Sequence, residues 1–238
     1  MPIRAISFDL WCTLFRDAHS AERQDIRIDA FTAATGLPRD DVVEALRRAW
    51  IEFDRSHRED QRTLEPIDAV TLAAGVLDVP IDGETAEELA EVFATAILAY
   101  PPEPIDGALE AVQAAAARVP IAIICDAGVS PGSSLRVLLD RHGFTPYFTV
   151  LNFSNEVGVA KPQRSMFETA ARALGVHASE LLHIGDLEYS DIAGAKAFGA
   201  KAALFAGNNP RFLETTAADL TFTHWRQFID ALPDLLEP

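Results

Sequence analysis

A chain of 238 residues, 49% of them hydrophobic, holds enough material for one large domain or for a core domain with a smaller insert, and its composition excludes a disordered tail. A formal charge of −16 argues against nucleic acid or an anionic membrane as the main partner, although a cation and one lysine can still reverse the sign inside a single small-molecule pocket. No apolar run reaches membrane-spanning length and the apolar start is too short for a signal peptide, so a soluble cytoplasmic protein is expected, with Cys12 and Cys125 as free thiols.

The first element is a short apolar run that gives way at Asp9 to a turn, as a buried strand of a parallel sheet does. A carboxylate at the carboxyl end of a central strand stands where open α/β sheets bind ligands, and it equally suits a local hydrogen bond to backbone. A polar connection follows, in which Arg16 could reach an anionic substrate or serve as a surface charge. Ile26, Ala30, Phe31 and Ala34 then fall at helical spacing before Gly36-Leu37-Pro38. Asp40 and Asp41 open a second helix through Val43, Leu46, Ala49, Trp50 and Phe53, and further helices are predicted over about 66–77 and 85–100, ending at Pro101-Pro102-Glu103-Pro104. Residues 16–100 therefore read as an all-helical insert. Its cationic candidates for substrate recognition are Arg23, Arg27, Arg47, Arg48, Arg55, His57, Arg58 and Arg62, most of them expected on solvated helix faces.

An alanine-rich helix over 106–118 leads to a second apolar run that ends in Cys125-Asp126. A helix over 133–142 and a strand over 147–153 precede Lys161, which stands before a proline in a loop leading to a helix over 166–174. The third apolar run, from Leu181, ends in Gly185-Asp186, with Asp191 five residues on at the start of a helix. Strands over 201–205 and 220–222 and a helix over 225–235 close the chain. Strands alternating with helices imply a parallel sheet with right-handed crossovers.

Asp9 with Thr13, then Cys125-Asp126, then Lys161-Pro162, then Gly185-Asp186 through Asp191, in that order, resemble the motifs of the haloacid dehalogenase superfamily. The resemblance covers the chain except the segment between the first two motifs, where that superfamily inserts a variable cap. It implies an α/β core of residues 1–15 and 101–238, a Rossmann-like parallel sheet with helices on both faces and the first strand in the middle, plus a small helical cap of residues 16–100. It implies Asp9 as nucleophile and Mg²⁺ held by Asp9, Asp186 and the backbone carbonyl of Trp11, with Asp191 acting directly or from behind. Lys161 would balance charge between nucleophile and phosphate, and Thr13, Cys125 and Asp126 would meet the phosphoryl group.

Two positions depart from the phosphatases of that superfamily. They carry a second aspartate two residues after the nucleophile, where this chain has Trp11, and a serine or threonine where it has Cys125, a weak donor that the amides of Asp126 and Ala127 would have to supplement. A positioned acid or base contributes about 10² to 10⁴ in rate, so weak phosphatase activity is expected unless Asp126, Glu188 or His19, in that order, takes over. The metal-independent 2-haloacid dehalogenases share an aromatic residue two places after the nucleophile, but carry a serine- and asparagine-rich segment in place of Gly185-Asp186-Leu187-Glu188-Tyr189-Ser190-Asp191. The reading is therefore a Mg²⁺-dependent phosphatase of a small phosphorylated metabolite, then a dehalogenase, then a weakened domain kept for binding. Monomer and homodimer both stay open. Cys12 and Cys125, following adjacent strands, are expected near the pocket mouth or as plain buried thiols.

Overall fold

Strand β1 (Ala5–Phe8) is buried along its whole length, as a strand covered on both faces must be. The computed structural model describes residues 2–237. After β1 the chain forms β2 (Phe15–Arg16), four helices, α1 (Ser20–Thr35), α2 (Arg39–Arg58), α3 (Pro66–Leu77) and α4 (Gly83–Ala99), then β3 (Glu103–Pro104) and α5 (Ala108–Ala116). There follow β4 (Ile121–Cys125), α6 (Gly132–Arg141), β5 (Val150–Phe153), α7 (Ser154–Val157), α8 (Arg164–Leu174) and β6 (Leu181–Gly185). The last elements are α9 (Ala193–Phe198), β7 (Lys201–Phe205), β8 (Leu220–Phe222) and α10 (Trp225–Leu236).

Six strands form one parallel sheet in the order β5-β4-β1-β6-β7-β8. With β1 between β4 and β6, the three carboxyl ends that carry Asp126, Asp9 and Asp186 lie side by side. Alternation along the strands fills two cores. Ile6, Phe8, Ile121, Ile123, Leu182 and Ile184 face a core with Val112, Leu135, Leu138, Phe228 and Leu232, where Trp225 stacks on Phe205 at 4.4 Å between ring centroids. Ala5, Ala122, Ile124 and Leu181 face the other, with Met166, Phe167, Ala170, Ile192 and Ala195.

Helices α1 to α4 enclose a third core of their own, built on Ile28, Phe31, Val42, Leu46, Val70, Leu89 and Phe93. Their ends follow from local sequence: Gly36 takes the left-handed conformation (φ 69°) that stops α1, Glu65 and Asp68 form a reciprocal cap with Pro66 in the first turn of α3, and the Asp82 carboxylate accepts the Thr85 N–H at 3.0 Å.

Four local expectations change. The polar connection after β1 and the proline stretch after α4 pair as the antiparallel ribbon β2–β3, with Arg16 on Glu103 and so committed away from any substrate. This two-residue ribbon is too short to leave a periodic pattern. The expected strand over 147–153 begins only at Val150, because Thr145–Tyr147, with Pro146, make a 3₁₀ turn. A single unforeseen turn, α7, follows β5. Asp191 lies inside a one-turn π-helix, Glu188–Ile192, and α9 starts after it. Among the described residues no helix is long and apolar enough to cross a membrane.

Candidate active site

The ends of β1 and β6 and the loop before α8 bring together Asp9, Asp186, Asp191 and Lys161, all of them buried. One carboxylate oxygen of each of the three acids lies within 4.8 Å of those of the others. The Lys161 ammonium donates to Asp9 Oδ1 and to Asp191 Oδ1, each at 2.6 Å, and so sits between two carboxylates. Asp191 is fully committed: its Oδ1 also faces His183 Nε2 at 3.3 Å, and its Oδ2 accepts the Leu187 N–H at 2.9 Å. Asp186 Oδ2 accepts from Asn209 Nδ2 at 2.7 Å. Among the described residues Asp9 Oδ2 and Asp186 Oδ1 are left without a partner. The bridge between Trp11 and Phe15 uses the Leu10 carbonyl and the Cys12 N–H, leaving the Trp11 carbonyl unused as well.

Burial governs the electrostatics. It pushes the Asp9 carboxyl well above the ordinary range; Lys161 pulls it down, and Asp191 and Asp186 add to the rise. Asp186 goes up to about 7, by burial and then by Asp191. Asp191 goes the other way, because Lys161 and His183 together overcome its burial. Burial opposes the Lys161 charge, yet Asp191 and Asp9 hold the ammonium well above its ordinary value. Two carboxylates that resist ionisation, each with an unused oxygen, fit a small hard divalent cation that takes few protein oxygens and keeps its waters. Asp191, whose oxygens already face Lys161, His183 and the Leu187 N–H, holds Lys161 in place beside that position.

A cavity of about 340 Å³ opens between the helical segment and the sheet, lined by Trp11, Trp50, Phe53, His57, Asp126 and the loop from Ala127 to Ser130. It shares Trp11, Trp50, Val129 and Ser130 with an adjoining cavity of about 270 Å³ that also meets Asp17, Arg23 and Arg27. Of the cationic candidates, Arg23, Arg27 and His57 therefore reach the cavities. Arg47, Arg48, Arg55 and Arg58 pair with acids along α2 and its end. Arg23 is bonded to Asp17, whereas Arg27 lies over the Trp50 ring at 5.6 Å and donates only to the Phe93 carbonyl, with no carboxylate within 4.0 Å among the described residues.

Other expected residues separate. Asp126 reaches the cavity and accepts the Lys161 N–H on Oδ1 at 2.8 Å. Cys125 is completely buried in the sheet core, where among the described residues its thiol makes a single hydrogen bond, to the Asp126 carbonyl at 3.5 Å, and it does not line the cavity. Cys12 is half-buried, in a left-handed conformation at φ 57°, with burial and then Asp186 pushing its thiol up to about 11. Thr13 Oγ1 is buried without a hydrogen-bond partner among the described residues. Glu188 is spent on Thr216 Oγ1 and the Ala217 N–H, and His19 is exposed beside Glu22.

A family model described as haloacid dehalogenase-like hydrolase matches residues 3–199. The chain belongs to that family. Among curated relatives, the pyrimidine 5'-nucleotidase YjjG of Escherichia coli is 38% identical over 92 residues, 38% of this chain and 40% of the relative. The phosphoglycolate phosphatase of Yersinia pestis is 27% identical over 233 residues, 97% of this chain and 92% of the relative. Against YjjG and several other curated relatives the chain spans less than half of the relative's length. Among solved structures, a 2-haloacid dehalogenase from Pseudomonas syringae superposes with a TM-score of 0.70 at 20% identity, over 98% of both chains, a likeness of fold alone.

Within this family of hydrolases, two supports of the acidic cluster went unread in the sequence. His183 and Ser7 face each other in the register of β6 and β1, with Ser7 Oγ 2.9 Å from His183 Nδ1, and this pair stands behind Asp191. The signal was a polar residue in each of two otherwise apolar strands. Asn209, which holds Asp186, follows the strand β7 in Asn208-Asn209-Pro210, a polar strand end on the same edge of the sheet as the acids.

Proposed function

We propose that this family member is a Mg²⁺-dependent phosphatase of a small phosphorylated metabolite, working through an aspartyl phosphate at Asp9, with residues 16–100 as its substrate-covering cap. The observation that carries the reading is the unused oxygen on each of two buried, ionisation-resistant acids, Asp9 and Asp186, beside a lysine pinned between Asp9 and Asp191. Mg²⁺ held by Asp9, Asp186 and the Trp11 carbonyl would neutralise phosphoryl charge and favour ionised Asp9. Lys161 holds the Asp9 carboxylate in place, and its charge faces the incoming dianion. The orphaned Thr13 hydroxyl is a buried donor of the kind a bound oxyanion satisfies. The phosphatase names of the curated relatives support the same class.

The second reading, a metal-independent 2-haloacid dehalogenase, is favoured by Trp11 and by the aromatic wall it forms with Trp50 and Phe53. A panel of phosphorylated metabolites and 2-haloacids, assayed with Mg²⁺ and with chelator, separates the two. Phosphate release that chelator abolishes is the expected result. Haloacid turnover in chelator would reverse the order. Binding of phosphorylated ligands without any turnover would point to a domain kept for recognition.

A further inference from the structure

Breaking a phosphate ester at Asp9 and hydrolysing the covalent intermediate each move one proton, and the Trp11 side chain has no group to move it. Glu188 and His19 are committed elsewhere. Of the titratable residues that face the cavity beside Trp11, Asp54 is paired with Arg58 at 2.8 Å, which leaves a pair contributed by opposite sides. Asp126 comes from the end of β4, next to β1 in the sheet, where Phe8 lies level with Ile123; Trp11 and Asp126, each three residues further on, leave the sheet at the same end. His57 comes from α2, with its Nε2 3.4 Å from Asp126 Oδ2. The imidazole is about four-fifths buried, lines the cavity with Trp11 and Asp126, and makes no other polar contact among the described residues. Asp126 has its other oxygen on the Lys161 N–H, and the Lys161 ammonium is on Asp9, so contacts run unbroken from His57 to the nucleophile.

We infer that His57, oriented by Asp126, is the proton-transfer group of this site and stands in for the carboxylate missing at Trp11; this rests on Asp9 being the nucleophile. In the first half-reaction an Asp9 oxygen bonds to phosphorus as the ester P–O bond breaks, and protonated His57 gives its proton to the departing oxygen. In the second, neutral His57 takes a proton from water as the water oxygen attacks phosphorus, the bond to Asp9 breaks, and phosphate leaves with Asp9 and His57 restored. Imidazole suits both directions because it exchanges protons near neutral pH. Asp126, with Oδ2 3.4 Å from Nε2, orients the ring. Trp11, a bulky apolar wall, then has a role of its own in keeping bulk water away from this exchange.

The test uses the intact protein, Mg²⁺ and a series of aryl phosphates with phenols of rising pKa, following phenol and phosphate release separately. The wild-type protein is expected to turn over steadily with a shallow dependence on phenol pKa. His57→Gln is expected to release one phenol per active site with p-nitrophenyl phosphate, then to turn over about 100-fold more slowly, to fall steeply with phenol pKa, and to recover in added imidazole. Trp11→Asp in the His57→Gln background is expected to restore steady turnover, which also shows that the background is folded. Wild-type rates and shallow dependence in His57→Gln would overturn the inference while leaving the Asp9 reading intact. Undiminished activity of Asp9→Asn, or no aryl phosphate turnover by the wild-type protein, would overturn the reading beneath it.

Discussion

The acid most informative to perturb is Asp186. Its carboxyl is raised from 3.8 to about 7, by burial and then by the neighbouring Asp191 charge. An unfolded chain releases this proton near pH 4 and the folded protein holds it to about 7, so in that window the fold binds more protons and loses stability as pH rises. At about 1.4 kcal/mol per pH unit of displacement, the raised Asp186 pKa costs the metal-free fold about 4 kcal/mol at pH 8.5, where the group must ionise, and less than half of that at pH 5, where the fold keeps it protonated. Asp186→Asn removes the charge while keeping an oxygen for Asn209 to donate to. Without metal, the variant is therefore expected to be the more stable protein at pH 8.5 by up to that amount, roughly 8–16 °C in Tm for a chain of this size, with less than half the gain at pH 5. Millimolar Mg²⁺ is expected to restore the wild-type protein at pH 8.5 and to leave the variant almost unchanged. Urea or thermal unfolding of both proteins, in chelator and in Mg²⁺ at the two pH values, makes the comparison. A wild-type-to-variant difference that does not grow with pH would refute the claim that the fold holds Asp186 neutral, and equal Mg²⁺ stabilisation of both would remove Asp186 from the cation site.

Three further outcomes are expected. A Cβ added at Gly185 would run into the Asp191 carboxylate, so Gly185→Ala should cost about 1–3 kcal/mol by chemical denaturation and, by displacing Asp191 from Lys161, should also lower the proposed phosphatase activity. Arg27 is buried without a carboxylate and its charge is disfavoured, by burial and then by Arg23, to a pKa of about 10, so Arg27→Gln should raise KM about tenfold for phosphate esters bearing a carboxylate, leave kcat and p-nitrophenyl phosphate kinetics near wild type, and not destabilise the fold. Iodoacetamide, followed by mass spectrometry, should label the half-buried Cys12 before the fully buried Cys125, with Cys12 reacting roughly tenfold faster per pH unit up to its pKa of about 11.

Strands β1, β4 and β6 were legible because each is a mainly apolar run followed by an acid, and the long helices because their apolar spacing persists for several turns. Where pattern is short, sequence failed: a two-residue ribbon, a 3₁₀ turn and a π turn carry no period to detect. For the site, the acids at Asp9 and Asp186 could be found since strand ends are where this architecture gathers ligands. The proximity of Asp191 depends on the π turn, whose extra residue is invisible in a hydrophobicity pattern. His57 was one of eight cationic candidates in the helical segment, and choosing among them required knowing which face of α2 meets Asp126. Glu188 stands second to Asp126 in sequence because it does not end a core strand; the fold shows that Thr216 and the Ala217 N–H take both its oxygens.

The ribbon that joins Phe15–Arg16 to Glu103–Pro104 has a consequence for how this chain could be rebuilt. Paired strands hold partner residues about 5 Å apart, so the long excursion from Arg16 to Glu103 departs and returns through a single doorway. Closing a loop there grows more expensive only with the logarithm of its length, which makes the doorway indifferent to what is grafted between its posts. A turn of a few residues could replace everything from α1 to α4 and leave every hydrogen bond between sheet neighbours in place. A foreign helical bundle with adjacent ends could be installed in the same frame, bringing a different wall to the cavity beside the same sheet.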